Sequence, residues 1–213
     1  MKTDDVIDDL TRDLAPVSRH ALPLRLALGV GVGSVVSALV MVLWLGIRPD
    51  LMQATATSAY WMKFGYTALL ALFAFWATER LARPGSQADW AFAGIGAVFL
   101  ILFAMASMQM MHTPPDARMP LMMGHSAMVC PWRIAILSLP IFVGAIWSLR
   151  SLAPTQLILA GAVAGLASGA SGAWIYAFHC DESAAPFVLT FYTLGIAALG
   201  AAGAVIARPL LRW

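Results

Sequence analysis

Charge is what this sequence has least of. Asp, Glu, Lys and Arg make up 11% of its 213 residues, where a soluble domain carries about 25%. Hydrophobic residues reach 61%. A soluble globular protein is excluded, and an integral membrane protein with little outside the bilayer is expected. Cysteine is almost as scarce: two residues cannot build a disulfide framework and make at most one bridge. No basic tract is long enough to hold nucleic acid. No secretory signal is expected at the start. Such a signal opens with basic residues and a short apolar core, whereas Asp4, Asp5, Asp8, Asp9 and Asp13 crowd the start and apolar sequence begins near Leu24. The apolar stretches hold no set of acid, base and nucleophile, so no enzyme is expected. They also hold too few ionisable groups to line an ion pathway.

What is present is apolar sequence in six long pieces, about 24–47, 61–81, 90–111, 131–149, 157–178 and 187–207. The expected fold is all-α: a polytopic six-helix transmembrane bundle over 21–213, preceded by a short cytoplasmic amphipathic helix within 1–20. The fifth piece organises the rest. Leu157 to Phe178 contains no charged residue, and at about 1.5 Å per residue it covers roughly 33 Å. Gly161, Gly165 and Gly169 repeat at every fourth position, and Ala173 and Ala177 continue the row. This smooth strip lets a neighbouring backbone approach closely. Gly29, Gly33 and Ser37 form a second such ladder in the first piece. Pro140 is expected to kink the fourth. Lys63, near the start of the second piece, is expected to snorkel to the interface. Residues 112–129 read as a loop with Pro114, Pro115, Pro120, His112, His125 and four methionines.

Within residues 1–20, Val6, Ile7, Leu10, Leu14 and Val17 recur at helical spacing, while Asp5, Asp9 and Asp13 share another face. Pro16 limits the helix to roughly 4–15. The segment is either a solvated tail or an interaction helix that offers an apolar stripe and acids to a basic partner. Six spans put both termini on one side. That side holds Lys2, Arg12, Arg19, Arg25, Arg80, Arg83, Arg150, Arg208 and Arg212, and the other holds Arg48, Lys63, Arg118 and Arg133. The excess of cations places both termini in the cytoplasm.

Cys130 opens the fourth piece and Cys180 follows the fifth. A short inner turn makes those pieces an antiparallel hairpin, so the cysteines fall at one depth on the outer side. An oxidising outer compartment is compatible with a disulfide, and a pair of free thiols is equally compatible. Two thiolates favour a soft metal, and His179, Asp181 and Glu182 are adjacent candidates to complete its shell. No CxxC or HxxC spacing points to a preformed zinc site. No obligatory cofactor is expected, only a transient heavy-metal ion at the cysteine pair.

The whole chain resembles the NrsF-like family. The resemblance rests on the Met1–Leu10 start with Pro16-Val17, the Leu45-Gly-Ile-Arg-Pro-Asp-Leu51 loop and Tyr60-Trp-Met-Lys63-Phe. It continues through Cys130, Leu152-Ala-Pro-Thr155, the run Ala160–Ala173, His179-Cys180, Tyr192-Thr-Leu-Gly195 and the Arg-Trp ending. Members are six-span bacterial inner-membrane proteins that act as anti-sigma factors for extracytoplasmic-function (ECF) sigma factors. The resemblance implies that residues 1–20, with Asp5, Val6, Asp9, Leu10, Asp13 and Leu14, help to hold such a sigma factor. It implies that Cys130 and Cys180 stand for the family's two periplasmic cysteines, linked to sensing heavy metals such as chromate or cadmium. The inner turns 80–89 and 150–156 are expected to share the contact, because the N-terminal segment is too short for a folded anti-sigma domain. Release is expected when metal capture or oxidation shifts the fourth and fifth helices. A small transporter or metal-efflux component, and a purely structural subunit, are the competing readings.

Overall fold

A computed structural model describes residues 11, 21–83, 85–152 and 154–211. The sigma-binding candidates Asp5, Val6, Asp9, Leu10, Asp13 and Leu14 lie outside them. The described residues are helical and contain no strand. Six long helices run in order: α1 (Ala21–Trp44), α3 (Ser58–Leu81), α4 (Asp89–His112), α6 (Cys130–Leu149), α7 (Leu157–Tyr176) and α8 (Ala185–Leu211). Two short ones, α2 (Leu51–Ala54) and α5 (Pro115–Met123), sit in connections. The stretch 112–129 is therefore not all loop. Pro115 starts α5 because proline lacks an N–H and fits a first helical turn. Pro140 does not break α6, which runs through it.

Five of these helices are long and apolar enough to cross a membrane, not six. The exception is α3, which carries Lys63 in its second turn and Glu79 and Arg80 in its last. The other five turn large apolar side chains outward, among them Val32, Leu43, Leu100, Phe103, Val143 and Val205.

At the centre stands α7. Of its apolar window 67% is buried, against 28% in α1 and 22% in α4. It packs on α3, α6 and α8. Gly161, Gly165 and Gly169 all face α8. A methyl added to Gly165 would fall on the Leu199 carbonyl oxygen and 2.9 Å from the Gly200 Cα, and one on Gly169 would fall 2.9 Å from the Ile196 Cα. Gly203 of α8 presses its own backbone on Gly161 in return. The second ladder faces α6. Gly29 meets Gly144 and Ser148, and a methyl on Gly33 would lie 2.6 Å from the Pro140 carbonyl oxygen. Both ladders thus serve contacts within one bundle.

The chain doubles back between α6 and α7, so the start of α6 and the end of α7 share one end of the bundle. At the opposite end, Leu22, Ala82, Leu149, Leu152, Leu157 and Leu211 form a separate apolar cluster near the turns that follow α3 and α6.

Candidate functional site

The last turn of α7 unwinds at Ala177. His179 N and Cys180 N donate to the Tyr176 carbonyl, at 2.9 and 3.0 Å, and the chain then runs extended to α8. We call residues 177–184 the strap. Cys180 lies on it, and Cys130 lies beneath, at the first turn of α6. Both are free thiols, 0% and 3% exposed, and each is within hydrogen-bonding reach of the other.

Four segments pin the strap. From α3, Lys63 Nζ donates to the Cys180 carbonyl at 2.7 Å and the Glu182 carbonyl at 2.8 Å. From the loop after α1, Arg48 N donates to the Phe178 carbonyl at 3.1 Å and Arg48 Nη1 to the Cys180 carbonyl at 3.2 Å. From the last turn of α4, Gln109 Oε1 accepts from Ala185 N at 2.9 Å, just past the strap. From the turn before α6, His125 N donates to Glu182 Oε1 at 2.6 Å.

Tyr176 and Tyr192 wall the thiols, their rings 5.9 Å apart. Their buried hydroxyls have no well-formed hydrogen bond; that of Tyr192 leans on Cys180. Tyr192 ends a π-helical turn, Val188–Tyr192, near the start of α8. Such a turn inserts one extra residue into a helix and often marks a functional position.

The His179 ring is fully used. Its Nδ1 lies 3.0 Å from the Gly46 carbonyl, which can only accept, so Nδ1 carries the proton. Nε2 then accepts from Arg133 Nη1 at 3.3 Å. Glu182 is held by the turn before α6. Among the described residues, no three of His, Cys, Asp and Glu converge as a metal site. His179 and Glu182 are thus occupied in orienting the strap, and the two sulfurs stand alone as soft ligands.

Charge around the strap is uneven. Arg48 has its own counter-ion: Asp50 accepts from Nε at 2.7 Å and from Nη2 at 2.6 Å. That hydrogen bond holds the Asp50 carboxyl below the usual carboxylate range and raises Arg48. Cys180 is held below the ordinary thiol range. The largest cause is the neighbouring thiol of Cys130. The positive charge of Lys63, the Tyr192 hydroxyl and the Glu182 N–H add to the effect, while burial opposes it. The pair therefore gives up one proton more readily than an isolated buried thiol would.

The Arg48–Asp50 pair carries a pH prediction. A carboxyl depressed in the folded state contributes stability that is full above its unfolded pKa of about 3.9 and is lost as pH falls through the lower folded value. The acid-side fall in melting temperature should be shallower in Asp50→Asn than in the unaltered protein. Equal slopes would show that the pair contributes nothing.

The structure thus brings Cys130, Cys180 and His179 together and adds residues that sequence reasoning missed. Lys63 does not snorkel; it is wholly buried and holds the strap. Tyr176, Tyr192, Arg48 and Arg133 complete the surroundings. The available signal was the position of Lys63 within an apolar stretch, where a charge marks function by default.

With this geometry in place, the comparisons with known proteins are decisive for family. The family model described as NrsF, negative regulator of sigma F, matches residues 10–213. The chain belongs to the NrsF family. It is similar to the anti-sigma-F factor NrsF of Caulobacter vibrioides (strain NA1000 / CB15N), with 42% identity over 215 residues and 100% of both chains covered. It is also similar to the probable anti-sigma-F factor NrsF of Azospira oryzae (strain ATCC BAA-33 / DSM 13638 / PS), with 36% identity over 213 residues, again with 100% of both covered. No solved structure matches the chain. NrsF membership puts it among regulators of transcription rather than enzymes.

Proposed function

We propose that this protein is an anti-sigma factor of the inner membrane. It sequesters an ECF sigma factor at its cytoplasmic face and releases it when periplasmic heavy-metal or oxidant stress reaches Cys130 and Cys180. The observation that carries the reading is the full-length match to NrsF proteins. The buried thiol pair supports the sensing half, because two facing sulfurs form either a disulfide or a two-coordinate seat for a soft cation. Disulfide formation takes two electrons and two protons from the pair and delivers them to an oxidant such as a peroxide. The outward apolar side chains support membrane embedding.

In this reading α3 is the sixth span. It is less apolar than the others because Lys63 points into the bundle, where carbonyls replace water, and because Glu79 and Arg80 sit at its far end beside a turn. Basic residues at that end put it in the cytoplasm. The contact with the sigma factor is assigned to residues 1–20 together with the turns 80–89 and 150–156.

Co-purification from membranes in mild detergent tests this. The full-length chain should bring down a sigma factor, and a chain lacking residues 2–20 should bring down at least tenfold less. Equal recovery would move the contact to the inner turns. No sigma factor with either chain would overturn the reading and leave the transporter class, to be tested by flux in proteoliposomes.

A further inference from the structure

Lysine is almost never fully buried unless it is paired, and a buried ammonium is costly unless its donors are satisfied. Lys63 is 0% exposed. Among the described residues, no carboxylate lies within ion-pair distance of it. Its ring neighbour is Tyr192, with Nζ 5.8 Å from the ring centroid. Both of its hydrogen bonds go to one short piece of chain, the Cys180 and Glu182 carbonyls. Arg48 differs. It carries its own anion, Asp50, and gives the Cys180 carbonyl only one side-chain donor. An apolar side chain of similar volume would fill the Lys63 position at less cost. The ammonium is there for the strap it grips.

The strap is also the cover of the thiols. Cys180 is part of it, and Cys130 lies below, so neither sulfur reaches solvent while the strap stays in place. We propose that Lys63 is the positioning residue of the thiol pair: from the second turn of α3 it latches the strap 177–184 shut over Cys130 and Cys180. Entry of a thiol-reactive species then requires both carbonyls to leave the ammonium. Because the latch is anchored on α3, opening the strap is coupled to that helix, which runs the length of the bundle to Leu81 beside the inner turn. The proposal rests on the reading of the thiol pair as the receiver of the stimulus.

The test compares the full-length protein with Lys63→Met in detergent micelles. Met keeps most of the stem and removes all three donors. The probes are a water-soluble maleimide, used at a pH high enough that loss of the Lys63 charge does not limit the thiolate and its rate reads access to the sulfurs, and amide hydrogen exchange. In Lys63→Met the two cysteines should be alkylated at least about tenfold faster, and exchange at 177–185 should rise with it. Exchange around Gly29 and Gly144, where α1 packs on α6, should be unchanged. Alkylation within twofold of the unaltered protein would overturn the proposal. So would faster exchange throughout the helices, which reports a generally weakened bundle rather than an opened strap. Sigma-factor release plays no part in this assay. A latch that works in a protein whose cysteines prove irrelevant to release would sink the sensing reading and leave the latch standing.

Discussion

Gly165→Ala should destabilise the folded bundle by about 1–3 kcal/mol, the cost of forcing an extra carbon into a well-packed interior, and Gly165→Leu should leave no folded protein. The new methyl would fall on the backbone of α8 at Leu199 and Gly200. A backbone has no rotamer with which to move aside. The only relief is separation of α7 from α8, which would also strip the contacts at Gly161 and Gly203 above it. The control is the same change where nothing stands in the way. Gly65 on α3 has no atom within 4 Å of an added methyl. There alanine gains helix propensity, so Gly65→Ala should stabilise by about 0.5–1 kcal/mol. Unfolding in a detergent titration reads both. If the two variants unfold at the same midpoint, the close approach of α7 and α8 is not what holds the bundle.

Why this was half legible in the sequence is instructive. The Gly161, Gly165 and Gly169 row shows at once, because helical periodicity turns a spacing of four into one face. The partner does not show. Ile196, Gly200, Gly203 and Ala207 alternate spacings of three and four, and nothing in that pattern names α7 as the opposing helix. The helix α5 was hidden behind three prolines that read as loop. Lys63 was hidden for a different reason. A lysine near the end of an apolar stretch has one sequence signature whether it snorkels out or turns inward. Only its neighbours decide, and those are strap carbonyls more than a hundred residues away. The thiol pair was legible because the short 150–156 turn makes α6 and α7 antiparallel. Its lid and walls were not. They come from the loop after α1, from α3, from the turn before α6 and from a π-helical turn that no composition signal announces.

Loss of both sulfurs should separate holding from release. Cys130→Ser with Cys180→Ser should bind the sigma factor as tightly as the unaltered protein and fail to release it, with inducible release at least tenfold lower. The substitution is close in shape, so the bundle should persist. The single variants then divide the two chemistries. A soft cation needs both sulfurs to replace its water shell at this site, because His179 has no free nitrogen and Glu182 is tied to His125. Either single change should therefore abolish the response to metal alone. A peroxide needs only one thiolate, and the pair shares one readily lost proton. Either single variant should still let its remaining sulfur be oxidised to a sulfenic acid, with no partner thiol left to close a disulfide. A stimulus shifts the bundle only by as much as its product prefers one arrangement over the other. In this site a preference has a definite place to act: a disulfide or a bridged cation resets the Cys130–Cys180 spacing, and the Cys180 carbonyl is held by the Lys63 ammonium. Normal release from the double variant would mean that the stimulus is read elsewhere, and the thiols would then be only a buried apolar pair beneath the strap.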